Sequence, residues 1–138
     1  MNTQAAQQEQ VTKLPSTNNA AYRARMRSYL ADAVEIDDKP NATEQERLNH
    51  LAQRFRAEYG WAIERQGKQR AAVNWLQGLA INVECWNHAI PKQVLKLHGM
   101  EGRTVSDKFA ERLVDGWWNH LAANVVRLLD NYERTGNA

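Results

Sequence analysis

Apolar residues recur along the chain at intervals of three and four, which is the period of a helix with one buried face. The first such stretch ends before Pro40, because proline cannot continue a helix and disfavours helix at the residue before it. A second helix is predicted to begin at Thr43, where Thr43 and Glu46 have the spacing of a capping box, and to end at Gly67. Gly60 lies inside this helix and weakens it by ~1 kcal/mol relative to alanine.

The third predicted helix, over residues 69–90, has the clearest pattern in the chain. Its apolar residues alternate spacings of four and three, which is typical of a heptad seam, and further apolar side chains lie off that seam. Such a helix is central in its bundle or is covered by a partner chain. Pro91 is the predicted end of this helix. The seam contains Ala72, Leu76, Leu79, Val83, Trp86 and Ile90, and the residues off it are Trp75, Ile81 and Cys85.

A short helix ended by Gly99 and a long last helix complete the predicted elements. The last helix is expected to begin near Thr104 and Asp107 and to run to about Arg134. No stretch alternates in the manner of a strand. The pattern therefore predicts an all-α fold, an antiparallel bundle of four main helices plus one short helix, in a single domain over residues 19–138.

The helical faces also predict which side chains form the core. Asn87 and Asn124 lie close to the apolar centres of their helices, so each is expected to be at least half buried and to bond to a neighbouring helix. The apolar residues expected to form most of the core are Trp75, Leu76, Leu79, Val83, Trp86, Leu113, Trp117, Leu121 and Val125.

The composition is that of a soluble globular domain, with 138 residues, 43% hydrophobic and 25% charged. Residues 1–18 are rich in Gln, Asn, Ser and Thr, which predicts a flexible tail and no secretory signal. No run reaches about 18 apolar residues, so no membrane span is expected. The single cysteine, Cys85, excludes an intrachain disulfide, and a cytoplasmic location is expected.

The tripeptide Trp-Asn-His occurs twice, at 86–88 and 118–120. Its two histidines point in different directions from their helices, so the repeat is interpreted as coincidence rather than as two halves of one site. Glu84 and His88 share a face, but the chain lacks the Glu-x-x-His spacing of di-metal bundles. Cys85 is close enough to His88 for contact, yet no third group orients the pair, and a lone cysteine usually packs as a small hydrophobe.

The glycines form no phosphate-binding motif. No catalytic residue, metal site or cofactor is therefore predicted. An enzyme with a dispersed helical site would escape these patterns, and it stays open as a third hypothesis.

The net charge of +2 is unevenly distributed. Residues 65–103 carry six basic and two acidic side chains, a balance of +4, whereas the segments on either side each carry −1. This basic segment makes nucleic-acid binding the alternative hypothesis, although acidic residues on the last helix would repel a phosphate backbone. The candidate contacts are Arg65, Lys68, Arg70, Lys92, Lys96 and Arg103.

The apolar surplus on the third and last helices favours a different function, binding to another protein. Exposed apolar patches usually mark interfaces, and two-fold dimers are the commonest oligomers. The leading hypothesis is therefore a non-enzymatic helical protein that binds a protein partner, as a homodimer. The candidate interface residues are Ile81, Cys85, Trp117, Trp118 and Val126.

Overall fold

The structure, a computed structural model, describes residues 19–78 and 90–138, and these form α-helices and no strand. The predicted all-α helical bundle is confirmed. The flexible tail predicted at 1–18 lies outside the described residues. The helices are α1 (Ala20–Asp32), α2 (Glu44–Gln66), α3 (Lys68–Gly78), α4 (Ile90–Leu97), α5 (Asp107–Asp115) and α6 (Trp117–Thr135).

The second helix begins and ends where the sequence predicts. The Thr43 hydroxyl accepts a hydrogen bond from the Glu46 amide at 3.1 Å, and the Glu46 carboxylate accepts one from the Thr43 amide at 3.1 Å. This reciprocal pair is the predicted capping box, and it satisfies two amides that have no partner within the helix. At the other end, α2 stops at Gln66 because the backbone of Gly67 leaves the helical conformation. Its φ is +86°, an angle that glycine adopts more easily than residues with a side chain.

The predicted last helix is in fact two helices, α5 and α6, which meet at Gly116. The first of them begins at Asp107, within the predicted start, but its cap is Ser106, whose hydroxyl accepts a hydrogen bond from the Phe109 amide at 3.2 Å, and not Thr104. A Cβ on Gly116 would lie 2.9 Å from Nε2 of His120, so the imidazole occupies the space beside the break. The apolar period continues across Gly116, and periodicity alone therefore could not reveal two helices.

Of the third helix predicted over 69–90, the structure describes α3 up to Gly78, and residues 79–89 lie outside the described residues. Pro91, its predicted end, lies in the first turn of α4. Proline is tolerated there because the first amides of a helix have no partner within it. Gly99, the predicted stop of the short helix, follows the end of α4 at Leu97 and has a φ of +72°. The Gly99 amide donates to the carbonyl oxygen of Lys96 at 3.0 Å.

The buried side chains of the described helices form one hydrophobic cluster. Every predicted core residue that the structure describes is buried, so this part of the prediction is confirmed. Leu79, Val83 and Trp86 lie outside the described residues. The ring of Phe55 packs against Trp75, with ring centroids 5.1 Å apart, and Tyr29 meets Trp117 edge to face at 5.7 Å. The predicted residues that are buried are Trp75, Leu76, Leu113, Trp117, Leu121 and Val125.

Helices α2 and α6 are antiparallel neighbours. The Gln45 side chain donates to the carbonyl oxygen of Ala138 at 2.8 Å, and Gln53, two turns later, donates to the Tyr132 hydroxyl at 2.6 Å. Asn49, between them, accepts from the Ala138 amide at 2.8 Å. The C-terminal end of the chain is therefore bound to the first half of α2.

Asn124 is partly buried, as predicted, but its expected bond to a neighbouring helix is wrong. Its side-chain amide donates to the carbonyl oxygen of His120 at 2.8 Å, within α6. A carbonyl four residues earlier is within reach of a short polar side chain, so the amide is satisfied locally. Asn87, the other predicted polar core residue, lies outside the described part of the chain.

Candidate functional site

A kink in α2 places a tryptophan on the surface. Tyr59 has non-helical backbone angles, φ −123° and ψ 18°, and Gly60 follows it. Glycine weakens a helix and is a common cause of such kinks. Beyond the kink, Trp61 is 58% exposed, and it is the one large hydrophobic side chain of the described residues that lies this open to solvent.

The Trp61 ring is fixed although it is exposed. Its indole N–H donates to the carbonyl oxygen of Glu58 at 3.2 Å, and its ring centroid lies 5.6 Å from that of Tyr59. We call Tyr59 and Trp61 the aromatic patch. Polar groups border it: the Glu58 carboxylate accepts from Arg54 at 2.9 Å and from the Trp75 indole at 3.3 Å. The hydrogen bond from Arg54 is the main reason why the pKa of Glu58 is lowered.

Trp61 is not among the functional candidates predicted from the sequence. The signal was present, because Trp61 lies off the apolar stripe of α2 that contains Phe55, Tyr59 and Ala62. A tryptophan on the polar side of an amphipathic helix is expected to be exposed.

A second surface lies between α1 and α4, where a cavity of about 400 Å³ opens. We call it the α1–α4 groove. Its apolar lining comes from Ala24, Tyr29 and Leu97, and its polar lining from Arg25, Ser28, Asp32 and Lys96.

Two contacts fix the walls of the α1–α4 groove. Nε of Arg25 donates to the carbonyl oxygen of Leu97 at 2.6 Å, and His98 stacks on Tyr22 with ring centroids 4.9 Å apart. Burial raises the pKa of the Tyr22 hydroxyl to about 12. Burial is also the main reason why the pKa of His98 is lowered to about 4. The end of α4 is thus held against α1 at neutral pH by an uncharged imidazole.

Three of the predicted nucleic-acid contacts meet at an adjoining cavity of about 340 Å³. We call it the basic groove. Lys92, Lys96 and Arg103 line it, and Lys96 also lines the α1–α4 groove. All three side chains are exposed, and none forms an ion pair within residues 19–78 and 90–138. The remaining lining residues are Leu95, Glu101 and Gly102.

The other three predicted nucleic-acid contacts are placed differently. Arg65 and Arg70 are exposed, but Lys68 bridges the carboxylates of Asp130 and Glu133 on α6. The hydrogen bond to Asp130 is the main cause that raises the pKa of Lys68. This lysine therefore ties α3 to α6 through ion pairs at the surface of its own chain.

The predicted interface residues that the structure describes are buried or partly buried. Trp117 is 3% exposed and belongs to the core of its own chain. Trp118 and Val126 are partly buried and pack against that core. Ile81 and Cys85 lie outside the described residues, so the predicted interface stays a prediction.

Within the described ranges, no group of three or more His, Cys, Asp or Glu side chains is placed to hold a metal ion. Glu84 and His88 lie outside those ranges. Among the described helices, none combines the length and apolar character that a bilayer crossing requires. Comparisons with protein-family models, with curated proteins and with solved structures found no match.

Proposed function

We propose that this chain is a non-enzymatic helical protein of the cytoplasm that acts by binding another protein, with Trp61 at the centre of the contact. The observation that carries the proposal is the 58% exposure of this large apolar ring. Burying it against a partner would remove that apolar surface from water, which is the main favourable term in association.

The fixed geometry of the aromatic patch supports the same function. Tryptophan is enriched among the few interface residues that carry most of the binding energy. The bond to the Glu58 carbonyl and the contact with Tyr59 hold the Trp61 ring in place before binding. A side chain that is already ordered loses less conformational entropy when the complex forms.

Substitution of Trp61 tests the proposal. Tagged wild-type protein and the Trp61→Ala variant would capture partners from cells of the native host, with quantitative mass spectrometry as the readout. A specific partner should be depleted about 30-fold or more by Trp61→Ala, since hot-spot truncations cost about 2 kcal/mol or more. Asn74→Ala, a change at an exposed helical position, is the matched control and should capture the same partner as the wild type. Equal capture by all three proteins would contradict the proposal.

The proposal includes self-association as a homodimer. Trp118 and Val126 on α6 are partly exposed and would contribute to the contact with Ile81 and Cys85. Light scattering at micromolar concentration tests this part. A dimer has twice the mass of the 15.8 kDa chain, and a measured mass near 15.8 kDa would contradict it.

Nucleic-acid binding is the second candidate function, favoured by the convergence of Lys92, Lys96 and Arg103 on one groove. Retention on immobilised DNA or RNA should then fall steeply with salt, because phosphate contacts release counterions. Lys92→Gln and Lys96→Gln should each weaken retention and reduce the salt dependence. If neither salt nor these substitutions changed the retention, nucleic-acid binding through this groove would be contradicted.

A further inference from the structure

We infer that the α1–α4 groove and the basic groove together bind an acidic amphipathic helix of a partner protein. The apolar face of that helix would occupy the α1–α4 groove, and its carboxylates would meet Lys92, Lys96 and Arg103. The inference rests on the proposed protein-binding function, but it uses a surface that does not include Trp61.

The apolar part of the surface suits aliphatic side chains. Ala24, Tyr29 and Leu97 line a cavity of about 400 Å³, and its lining is mainly apolar. Amphipathic helices bind other proteins by laying apolar residues at helical spacing into a groove of this kind. The Arg25–Leu97 bond fixes both walls, so the groove is formed before a ligand arrives.

The charges beside the apolar lining select an acidic partner. Among the described residues that line the two grooves, four are basic, namely Arg25, Lys92, Lys96 and Arg103, and two are acidic, Asp32 and Glu101. Complementary potentials speed encounter and fix the register of a bound partner.

The arrangement of the lysines also fits a helix. Lys92 and Lys96 are four residues apart in α4, so they lie on one side of it, about one turn from each other. Carboxylates three or four residues apart on an antiparallel or parallel ligand helix have the same spacing. Lys96 lines both cavities and therefore joins the apolar and basic parts of the surface.

Nucleic acid fits the same surface less well. Asp32 and Glu101 lie in its walls and would repel phosphates, and the side chains of Ala24 and Leu97 in the α1–α4 groove offer a phosphate backbone no hydrogen bond. An acidic helix uses the apolar lining and the lysines at once, whereas a nucleic-acid backbone uses the lysines alone.

Fluorescence anisotropy with the full chain tests the inference. The probe is a labelled peptide of about 16 residues with leucines at helical spacing and glutamates on either side of them. Two comparison peptides would be used: one with lysine in place of each glutamate, and one with the same composition in scrambled order. A labelled DNA duplex at the same ionic strength is the fourth probe.

The acidic amphipathic peptide should bind at least about tenfold more tightly than either comparison peptide and than the duplex. Lys96→Glu, with Lys92→Glu as a second variant, should weaken its binding by about tenfold or more. Arg127→Glu, an exposed charge reversal on α6 that lines neither groove, is the matched control and should leave binding unchanged apart from a weak general effect of charge. Dichroism spectra of the variants would confirm that they remain folded.

The outcomes separate this inference from the proposed function. Trp61→Ala should not change peptide binding. If the chain binds the peptide but captures no partner that depends on Trp61, the proposed contact at Trp61 is contradicted and the inference about the grooves stands. Equal binding of the three peptides, or binding that Lys92→Glu and Lys96→Glu leave intact, would overturn the inference. Tighter binding of the duplex through the same lysines would overturn it in favour of nucleic acid.

Discussion

Nε of Arg25 donates a hydrogen bond of 2.6 Å to the carbonyl oxygen of Leu97, the last residue of α4. The last carbonyls of a helix have no partner within it, so this bond caps α4 with a side chain from α1. Gly99 lies directly beside the guanidinium, since a Cβ added to it would be 3.2 Å from Arg25. One arginine therefore fixes both the end of α4 and the turn that follows.

Arg25→Ala should lower the free energy of unfolding by about 1–2 kcal/mol, because the Leu97 carbonyl would lose a charge-assisted bond in a partly buried place. Urea denaturation measures the change. Arg65→Ala removes an exposed arginine elsewhere and should change the unfolding free energy by at most about 0.5 kcal/mol. Equal effects of the two substitutions would show that the Arg25–Leu97 bond adds nothing.

Gly60→Ala should stabilise the fold by about 0.5–1 kcal/mol, because nothing lies within 4 Å of an added Cβ and alanine loses less backbone entropy in a helix. Gly67→Ala is the matched control. An added Cβ also meets nothing there, but the φ of +86° disfavours every residue with a side chain, so this variant should be less stable than the wild type. Thermal unfolding compares them, and a loss of stability in Gly60→Ala would mean that the kink at Tyr59 requires glycine.

Stability should fall as the pH decreases from about 6.5 towards 4, through the titration of His98. Its pKa is lowered from 6.5 to about 4, mainly by burial and also by His120 and Arg25. Between these two values the unfolded chain binds a proton that the folded chain excludes, so acid favours unfolding. The stabilisation is complete above the unfolded pKa and is lost progressively below it.

His98→Phe keeps an aromatic ring against Tyr22 and removes the titration. Its melting temperature should therefore fall less between pH 6.5 and pH 4.5 than that of the wild type. Melting curves at several pH values in this range measure the difference. Parallel pH profiles of the two proteins would show that His98 does not titrate as described.

Asn49→Ala should destabilise the fold by about 1–2 kcal/mol, because it leaves the partly buried Ala138 amide without its partner. The same side chain accepts from Gln45 at 2.9 Å and donates to Asn137 at 3.2 Å, so the substitution also breaks a polar network. Asn74→Ala, at an exposed helical position, is the control in urea denaturation and should change stability little. Equal stability of the two variants would contradict the role of Asn49.

Local signals in the sequence were enough to predict the all-α fold, both ends of α2 and part of the core. Thr43 and Glu46 carry a cap that works through contacts three residues apart, and Gly67 and Gly99 end helices through their own backbone angles. Such features need no knowledge of distant residues. The buried faces follow in the same way, because amphipathic helices pack by their apolar sides.

The two grooves could not be predicted from the sequence because they depend on contacts between distant residues, whereas the exposure of Trp61 follows from its place off the apolar stripe of α2. The α1–α4 groove exists because Arg25 reaches Leu97, 72 residues along the chain, and periodicity carries no information on that pairing. The break at Gly116 interrupts the helix without interrupting the apolar period. Charge counting found Lys92, Lys96 and Arg103, but it could not separate them from Lys68, which α6 holds in ion pairs.

The bond between Gln45 and Ala138 has a kinetic consequence, since it joins residues 93 positions apart. Closing a loop costs chain entropy before the contact returns any energy, so we expect this contact to form after the local contacts of the helices. On this expectation the last residues pack against α2 after the helices have begun to form. Hydrogen exchange at the Ala138 amide, which Asn49 holds, would therefore report the first opening of the native protein rather than its global unfolding.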